Sequence, residues 1–274
     1  VVIDGINSVG GIAIPKLLDH LNVEYIKLNC DPTGIFSHNP EPLPQNMKEL
    51  CDSVIKNNAD LGFIVDPDVD RLAIVDEKGN PFGEEYTLVA CADYVLSKAK
   101  GNTVSNLSSS RALKDISKKN NVKHFFSPVG ELNVIEKMKL KKAIVGGEGN
   151  GGVILPELHY GRDALVGIAI FLSLIAEKKL KISEIKRLYP KYYIEKDKIE
   201  FIDDKFIENK LLEIKKKFKS NQITTIDGLK IDFEDSWIHL RKSNTEPIVR
   251  VYAESNSKTK SKELIDKFKN YFVI

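Results

Sequence analysis

Cysteine is scarce in this chain, and what there is does not pair by spacing. Cys30, Cys51 and Cys91 are odd in number and widely separated, and no C-x-x-C occurs. That excludes a disulfide framework and fits free thiols in a reducing cytosol. Long hydrophobic runs are missing too. The longest apolar stretch, 164–176, contains Gly167 and Ser173 and is too short to span a bilayer. No secretory signal is present, so a cytoplasmic protein without a membrane partner is expected. An excess of one charge is also absent. Lys+Arg 41 against Asp+Glu 39 leaves a net +2, which gives no electrostatic case for nucleic acid. The Lys-rich run 210–219 carries Leu211, Leu212, Ile214 and Phe218 on one side and reads as a solvated helix face. An initiator methionine is lacking as well. The chain opens on Val1-Val2-Ile3-Asp4-Gly5, a strand running into a turn, so a piece of a longer protein is expected.

What is present is ample core material: 274 residues with 42% hydrophobic content, enough for more than one domain. Strands are expected at 1–3, 24–28, 61–65 and 72–75, alternating with helices at 10–21, 46–57 and 84–98. The rhythm repeats with strands at 103–107, 122–126 and 143–145 and helices at 111–119, 131–140 and 163–177. It then changes. Strands at 192–201, 223–226, 229–233, 237–240 and 248–253 cluster between helices at 204–219 and 258–271. The fold class is α/β: two consecutive similar α/β domains with mixed sheets, at 1–98 and 99–188, then a small α+β domain with an antiparallel sheet, at 189–274. Pro40-Glu41-Pro42-Leu43-Pro44 is extended connector.

Three short segments carry chemistry. Asp66-Pro67-Asp68-Val69-Asp70-Arg71 follows an apolar strand. Alternate residues of an extended or tightly turned loop point the same way, so three carboxylates converge and repel unless compensated. Oxygen-only ligation suits Mg²⁺, and Arg71 allows an anion beside the metal. The other reading is an acidic surface turn with Asp70 and Arg71 as a solvated pair. Arg241-Lys242-Ser243-Asn244-Thr245-Glu246-Pro247 sits between two strands. Arg241 can hold a phosphate bidentately, Ser243 and Thr245 can donate hydroxyl hydrogen bonds, successive N–H groups can form an anion nest, and Arg250 adds a second cation. A polar hairpin loop is the alternative. Gly146-Gly147-Glu148-Gly149-Asn150-Gly151-Gly152 reads as a flexible turn presenting Glu148 and Asn150 to vicinal hydroxyls, or simply as a surface loop. It is not G-x-x-x-x-G-K-[ST], so it is no P-loop.

In this order and at these strand ends, the segments resemble the α-D-phosphohexomutase family of phosphoglucomutase, phosphomannomutase and phosphoglucosamine mutase. The family's D-G-D-G-D-R is matched by Asp66, Asp68, Asp70 and Arg71. Its G-E-x-S-G corresponds to Gly147, Glu148, Gly149, Asn150 and Gly151, and its R-x-S-N-T-E-P is matched in full from Arg241 to Pro247. Val2-Ile3-Asp4-Gly5-Ile6-Asn7-Ser8-Val9-Gly10-Gly11 resembles the opening of the family's second domain. The resemblance implies domains two to four, with the first domain, which carries the phosphoserine loop T-x-S-H-N-P, missing. Phe36-Ser37-His38-Asn39-Pro40 spells S-H-N-P but lies after the second-domain opening, in the connector, without the preceding strand and Thr. Ser37 is therefore not expected to be the phosphoserine.

The implied reaction moves phosphate between O1 and O6 of a hexose through a phosphoserine and a 1,6-bisphosphate. The resemblance implies Mg²⁺ on Asp66, Asp68 and Asp70, and Arg71 on the phosphoserine. Glu148 and Asn150 would take sugar hydroxyls. Arg241, Ser243, Asn244, Thr245 and Arg250 would take the phosphate that is not reacting. The general acid/base is not identified, and the fragment alone is expected to lack mutase turnover. The partners are hexose phosphate and hexose 1,6-bisphosphate. The sequence departs from the pattern at Pro67 and Val69, which replace glycines, at Asn150 for Ser, at Gly152 where many members have His, and at Glu131 where relatives are often basic or carry His. These positions leave open which sugar is taken. Two other readings are a haloacid-dehalogenase-type phosphatase, for which Asp66-x-Asp68 fits but the R-x-S-N-T-E-P loop has no role, and a non-catalytic sugar-phosphate sensor.

Overall fold

In the computed structural model, which describes residues 1–200, 203–243 and 246–272, apolar strands alternate with helices along the first two-thirds of the chain. β1 (Val2–Asp4), α1 (Gly10–His20), β2 (Ile26–Leu28), α2 (Lys48–Lys56), β3 (Leu61–Val65), β4 (Leu72–Asp76) and α3 (Glu84–Lys98) come first. β1 pairs in parallel with β2 and β3, and β3 pairs antiparallel with β4, giving the order β2-β1-β3-β4. Every residue of β3 and β4 is buried, as continuous apolar runs require of strands covered on both faces.

β5 (Asn102–Asn106), α4 (Ala112–Lys119), β6 (His124–Ser127), α5 (Glu131–Lys141), β7 (Ala143–Glu148), β8 (Gly152–Ile154) and α6 (Ala164–Lys178) repeat the plan, followed by the short helix α7 (Ile182–Lys186). The strand order is β6-β5-β7-β8, with β5 and β7 parallel and β7 and β8 antiparallel. Each sheet thus ends in a hairpin, β3–β4 in one and β7–β8 in the other. α6 packs on α3. It begins at Asp163, whose carboxylate accepts the N–H groups of Leu165 and Val166 and so satisfies two donors that helix geometry leaves free. These elements form one compact unit, Val1–Phe126 with Gly130–Pro190.

The described residues of Ser127–Val129 and Lys191–Ile274 form a second unit. It holds β9 (Tyr193–Glu200), α8 (Asp204–Lys217), β10 (Gln222–Thr224), β11 (Leu229–Asp232), β12 (Ser236–Lys242), β13 (Ile248–Ser255) and α9 (Lys258–Lys269). The sheet is antiparallel throughout, in the order β10-β11-β12-β13-β9. Ile207 and Ile214 of α8 and Ile265 and Phe268 of α9 join Ile231, Ile238, Leu240 and Val251 in its core. Each such side chain contributes about 1.5–3 kcal/mol by leaving water.

The expected elements are found with ends shifted by a residue or two, except β7, which runs three residues past its expected end. Residue 201, expected to end a strand, lies outside the described residues. β8 and α7 were not expected. The segment 146–152, read as a turn, is a correction: Gly146, Gly147 and Glu148 are buried strand, and only 149–151 turn. Glycine here permits close packing rather than flexibility. A Cβ on Gly146 would lie 2.7 Å from the Val104 carbonyl oxygen, and one on Gly147 2.0 Å from that of Gly152.

The three cysteines are free, and burial pushes the Cys91 thiol up to about 12. Among the described residues no helix is long and apolar enough to cross a membrane.

Candidate functional site

The turn between β3 and β4 is built around Asp66. Its Oδ1 accepts the backbone N–H groups of Asp70 (3.0 Å) and Arg71 (2.9 Å), and its Oδ2 accepts Arg71 Nε (2.5 Å). Asp66, Asp68 and Asp70 each bring a carboxylate oxygen within 4.8 Å of the others. Asp66 is buried, Asp68 exposed and Asp70 between the two. Oδ1 of Asp70 is itself buried and accepts no hydrogen bond among the described residues. An unsatisfied buried carboxylate oxygen is costly, and a hard cation removes that cost. The donor set, all oxygen, fits a divalent cation such as Mg²⁺. Burial raises Asp66, but hydrogen bonds from Asp70 and Arg71 outweigh it and hold its carboxyl below the usual range. Burial, then the neighbouring Asp66, pushes Asp70 up to about 7 against the pull of Arg162.

Pro67 and Val69 replace the expected glycines, yet the backbone at 69 is one a glycine would take. Val69 has φ +60°, a left-handed conformation that strains a β-branched residue by about 1–3 kcal/mol. The surroundings enforce it. Val69 N–H donates to the Asp66 carbonyl (3.1 Å), and the Val69 carbonyl accepts the N–H of Ala164 at the start of α6 (2.9 Å). The Ser8 hydroxyl donates to the Pro67 carbonyl.

Glu148, the last residue of β7, is buried. Its Oε1 accepts Asn106 Nδ2 (2.7 Å) and the Gly130 N–H (3.0 Å), and its Oε2 accepts Arg162 NH1 (2.9 Å). Three of the four acceptor positions of the carboxylate are thus used, which leaves one for a ligand hydroxyl. Asn150 turns its Oδ1 back to the Gly152 N–H (3.2 Å), and its Nδ2 has no partner among the described residues. The Gly149 N–H donates to Ser109 Oγ (2.9 Å), and the turn sits so close to the Glu85 carboxylate that a Cβ at 149 would overlap it.

The structure brings the aspartate turn and the Glu148 turn together. Leu72 N–H donates to the Gly151 carbonyl (3.1 Å), and the guanidinium of Arg162 bridges Asp70 and Glu148. Glu131 joins them: its Oε1 accepts the Arg162 backbone N–H (2.7 Å). Sequence reasoning missed Arg162, Asn106 and Ser109. A signal for the first did exist. The chain has only six arginines, Arg71, Arg111, Arg162, Arg187, Arg241 and Arg250, and Arg is favoured over Lys where planar, multidentate recognition matters.

In the second unit, Arg241 on β12 and Arg250 on β13 are direct cross-strand partners, so both project from one face of the sheet. Like charges at such a pair repel, and an anion between them relieves the repulsion. Each has limited internal compensation. Arg241 Nε lies 3.9 Å from Asp227 Oδ2, and Arg250 NH2 donates to Glu246 Oε2 (3.0 Å). Ser243, the residue after β12, is buried, its N–H donating to the Ile248 carbonyl (2.8 Å). Asn244 and Thr245 lie outside the described residues. Ser37 is exposed in the connector, and the next residue, His38, points its Nε2 at the buried Asp4 carboxylate (3.1 Å).

Three family models match the chain: phosphoglucomutase/phosphomannomutase alpha/beta/alpha domain II over residues 1–79, domain III over 83–192 and the C-terminal domain over 196–270. A phosphoglucomutase/phosphomannomutase of Thermococcus kodakarensis is 36% identical over 269 residues, covering 97% of this chain and 59% of that protein. A probable phosphoglucosamine mutase of Methanopyrus kandleri is 30% identical over 271 residues, covering 98% and 60%. The chain thus spans about three-fifths of the length of the curated relatives it matches. Among solved structures, a phosphoglucomutase/phosphomannomutase family protein of Burkholderia thailandensis superposes with TM-score 0.87 at 26% identity, covering 98% of this chain and 59% of that one. An N-acetylphosphoglucosamine mutase of Aspergillus fumigatus, solved with GlcNAc-6P and magnesium, shares the fold at TM-score 0.69 and 16% identity, covering 100% and 65%.

Proposed function

Because the chain belongs to the phosphoglucomutase/phosphomannomutase family, we propose that it is part of a Mg²⁺-dependent phosphohexomutase. That enzyme would interconvert hexose 1-phosphate and hexose 6-phosphate through a phosphoserine and a hexose 1,6-bisphosphate. The observation that carries this reading is the convergence of Asp66, Asp68 and Asp70 with Glu148, joined by Arg162. A cation site and a hydroxyl-accepting carboxylate side by side suit a phosphorylated polyol better than either suits a simple phosphate monoester.

Phosphate monoesters hydrolyse so slowly that the barrier has to fall by ~20 kcal/mol or more. Mg²⁺, held by Asp66, Asp68 and Asp70, would neutralise charge on the transferring phosphoryl oxygens. Arg71, anchored on Asp66, turns its remaining guanidinium donors to the phosphoserine. Glu148 accepts one sugar hydroxyl and Asn150 Nδ2 donates to a neighbouring one, a grip that works for either orientation of the ring. Arg241, Ser243, Asn244, Thr245 and Arg250 hold the phosphate that is not reacting. In this reading the chain divides at 98/99 and 188/189 into a metal-loop, a sugar-loop and a phosphate-loop domain. The nucleophilic serine comes from residues other than these 274, and the enzyme works in the cytoplasm.

The test is a mutase assay on the full-length parent with Mg²⁺, a bisphosphate activator and a panel of hexose 1- and 6-phosphates. Turnover by the parent and none by the 274 residues alone is expected. Turnover by the 274 residues, phosphate found on Ser37, or an inactive parent overturns the proposal.

A further inference from the structure

Gly152 and Arg162 are a matched pair. A Cβ at 152 would lie 2.3 Å from Arg162 Cδ and 3.0 Å from Cγ, so the arginine side chain runs through space that any larger residue at 152 would fill. Following that path, its NH2 pairs with Asp70 Oδ2 and its NH1 with Glu148 Oε2 (2.9 Å). Its Nε is buried without a hydrogen bond among the described residues and lies 3.8 Å from Glu131 Oε2. The backbone holds the residue in place from both sides. Arg162 N–H donates to Glu131, and the next residue caps α6.

Asp70 is also one of the three carboxylates that fit a divalent cation. A guanidinium and a divalent cation on the same half-buried carboxylate repel each other strongly, because screening there is weak. We propose that Arg162 is the chain's own counter-cation for the metal loop, competing with the divalent cation for Asp70 and yielding it while staying anchored on Glu148. The inference rests on the metal reading of the proposed function. Its consequence is a link between the two turns. Once the metal holds Asp70, the NH2 of Arg162 is free to donate to an oxygen of the hexose phosphate beside Glu148. Gly152 is the residue that makes room for this side chain.

Titration calorimetry of the chain with MgCl₂ alone tests it, on wild type, R162M, R162K and G152A, with circular dichroism and thermal unfolding to check the fold. Removing a competing charge at this range tightens binding, so R162M is expected to bind Mg²⁺ roughly tenfold more tightly than wild type. R162K, which keeps the charge, should fall between the two. G152A, which keeps the arginine but displaces its Cδ, should shift affinity in the same direction by a smaller factor. A merely structural arginine would lower affinity when removed. Wild-type binding with no gain in R162M or G152A overturns the inference alone. If R162M does not fold, G152A and R162K decide by the same criterion. No Mg²⁺ binding by any of the four overturns the metal reading, and the inference with it.

Discussion

The β3–β4 and β7–β8 hairpins occupy the same place in two sheets of the same plan, yet they solve opposite problems. The first crowds three carboxylates into the turn 66–71 and takes a left-handed backbone at Val69 without a glycine to ease it. The second carries a single carboxylate in a turn so tight that Gly149 and Gly151 have no room for a Cβ. The first is strained and electrostatically unfinished, since Asp70 Oδ1 is buried without a hydrogen bond among the described residues. The second is nearly complete, with three of four acceptor positions on Glu148 filled. A repeated fold unit therefore supplies a location, and the turn residues decide whether that location collects charge or shape. Arg162 belongs to neither hairpin and couples the two.

The comparison breaks most sharply at Gly151. It has φ +92°, and a Cβ there would lie 2.4 Å from the Leu72 carbonyl oxygen. Gly151→Ala should cost about 3 kcal/mol or more, through backbone strain and a clash with main chain that cannot rotate away. Urea unfolding measures this. A loss below 1 kcal/mol, on the order of a surface change, would show that the hairpins are not held together as described.

A control of similar size leaves both hairpins untouched. His239 in the second unit is buried with Nε2 on the Asp227 carbonyl (2.7 Å), and burial lowers it to about 4. The neutral ring is favoured in the folded state, so its contribution is present above the unfolded value and lost as pH falls through 6.5 towards 4. The shift corresponds to about 3 kcal/mol. Denaturation at pH 7 and pH 4 should show wild type losing about 3 kcal/mol more over that range than His239→Asn, a difference that cancels the opposing contribution of Asp70, whose raised value favours folding as pH falls.

Asp68 sharpens the difference in charge. It is exposed, so Asp68→Asn should leave stability within about 0.5 kcal/mol but weaken Mg²⁺ binding at least roughly tenfold by removing one anionic ligand. Calorimetry with Mg²⁺ checks this, with Glu148→Gln, in the other hairpin, expected to change Mg²⁺ affinity less.

The smallest effect is expected at Val69. Val69→Gly relieves strain of about 1–3 kcal/mol but loses a buried side chain and adds backbone freedom of comparable total size. Stability should change by less than about 1 kcal/mol. A loss near 3 kcal/mol would mean that the left-handed backbone carries no strain.

Much of the fold was legible because burial leaves a period in the sequence. The apolar runs 61–65 and 72–75, and helix α3 at 84–98, declare themselves. β8 did not, because Gly152-Val153-Ile154 is too short to show a period and starts among glycines that read as a turn. The same glycines misled the reading of 146–152, where closeness to Val104 and Gly152 is the reason for glycine. Of the candidate site, the carboxylate turn was visible as a local motif. The Arg241–Arg250 pair was half visible, since neighbouring strands suggest proximity but only the register makes them opposite. Arg162 was invisible as a partner, since it lies 92 residues from Asp70 along the chain.

The sequence by itself determined the α/β class and the aspartate turn, because periodicity and local spacing are properties of neighbouring residues. Only the tertiary structure decided that Glu148 is nearly saturated and that Asp70 keeps an unsatisfied oxygen. Only it decided that one arginine, passing through the space Gly152 leaves open, serves both. Those outcomes depend on which distant groups meet where water is excluded, and in that setting each unpaired charge or acceptor carries its full cost.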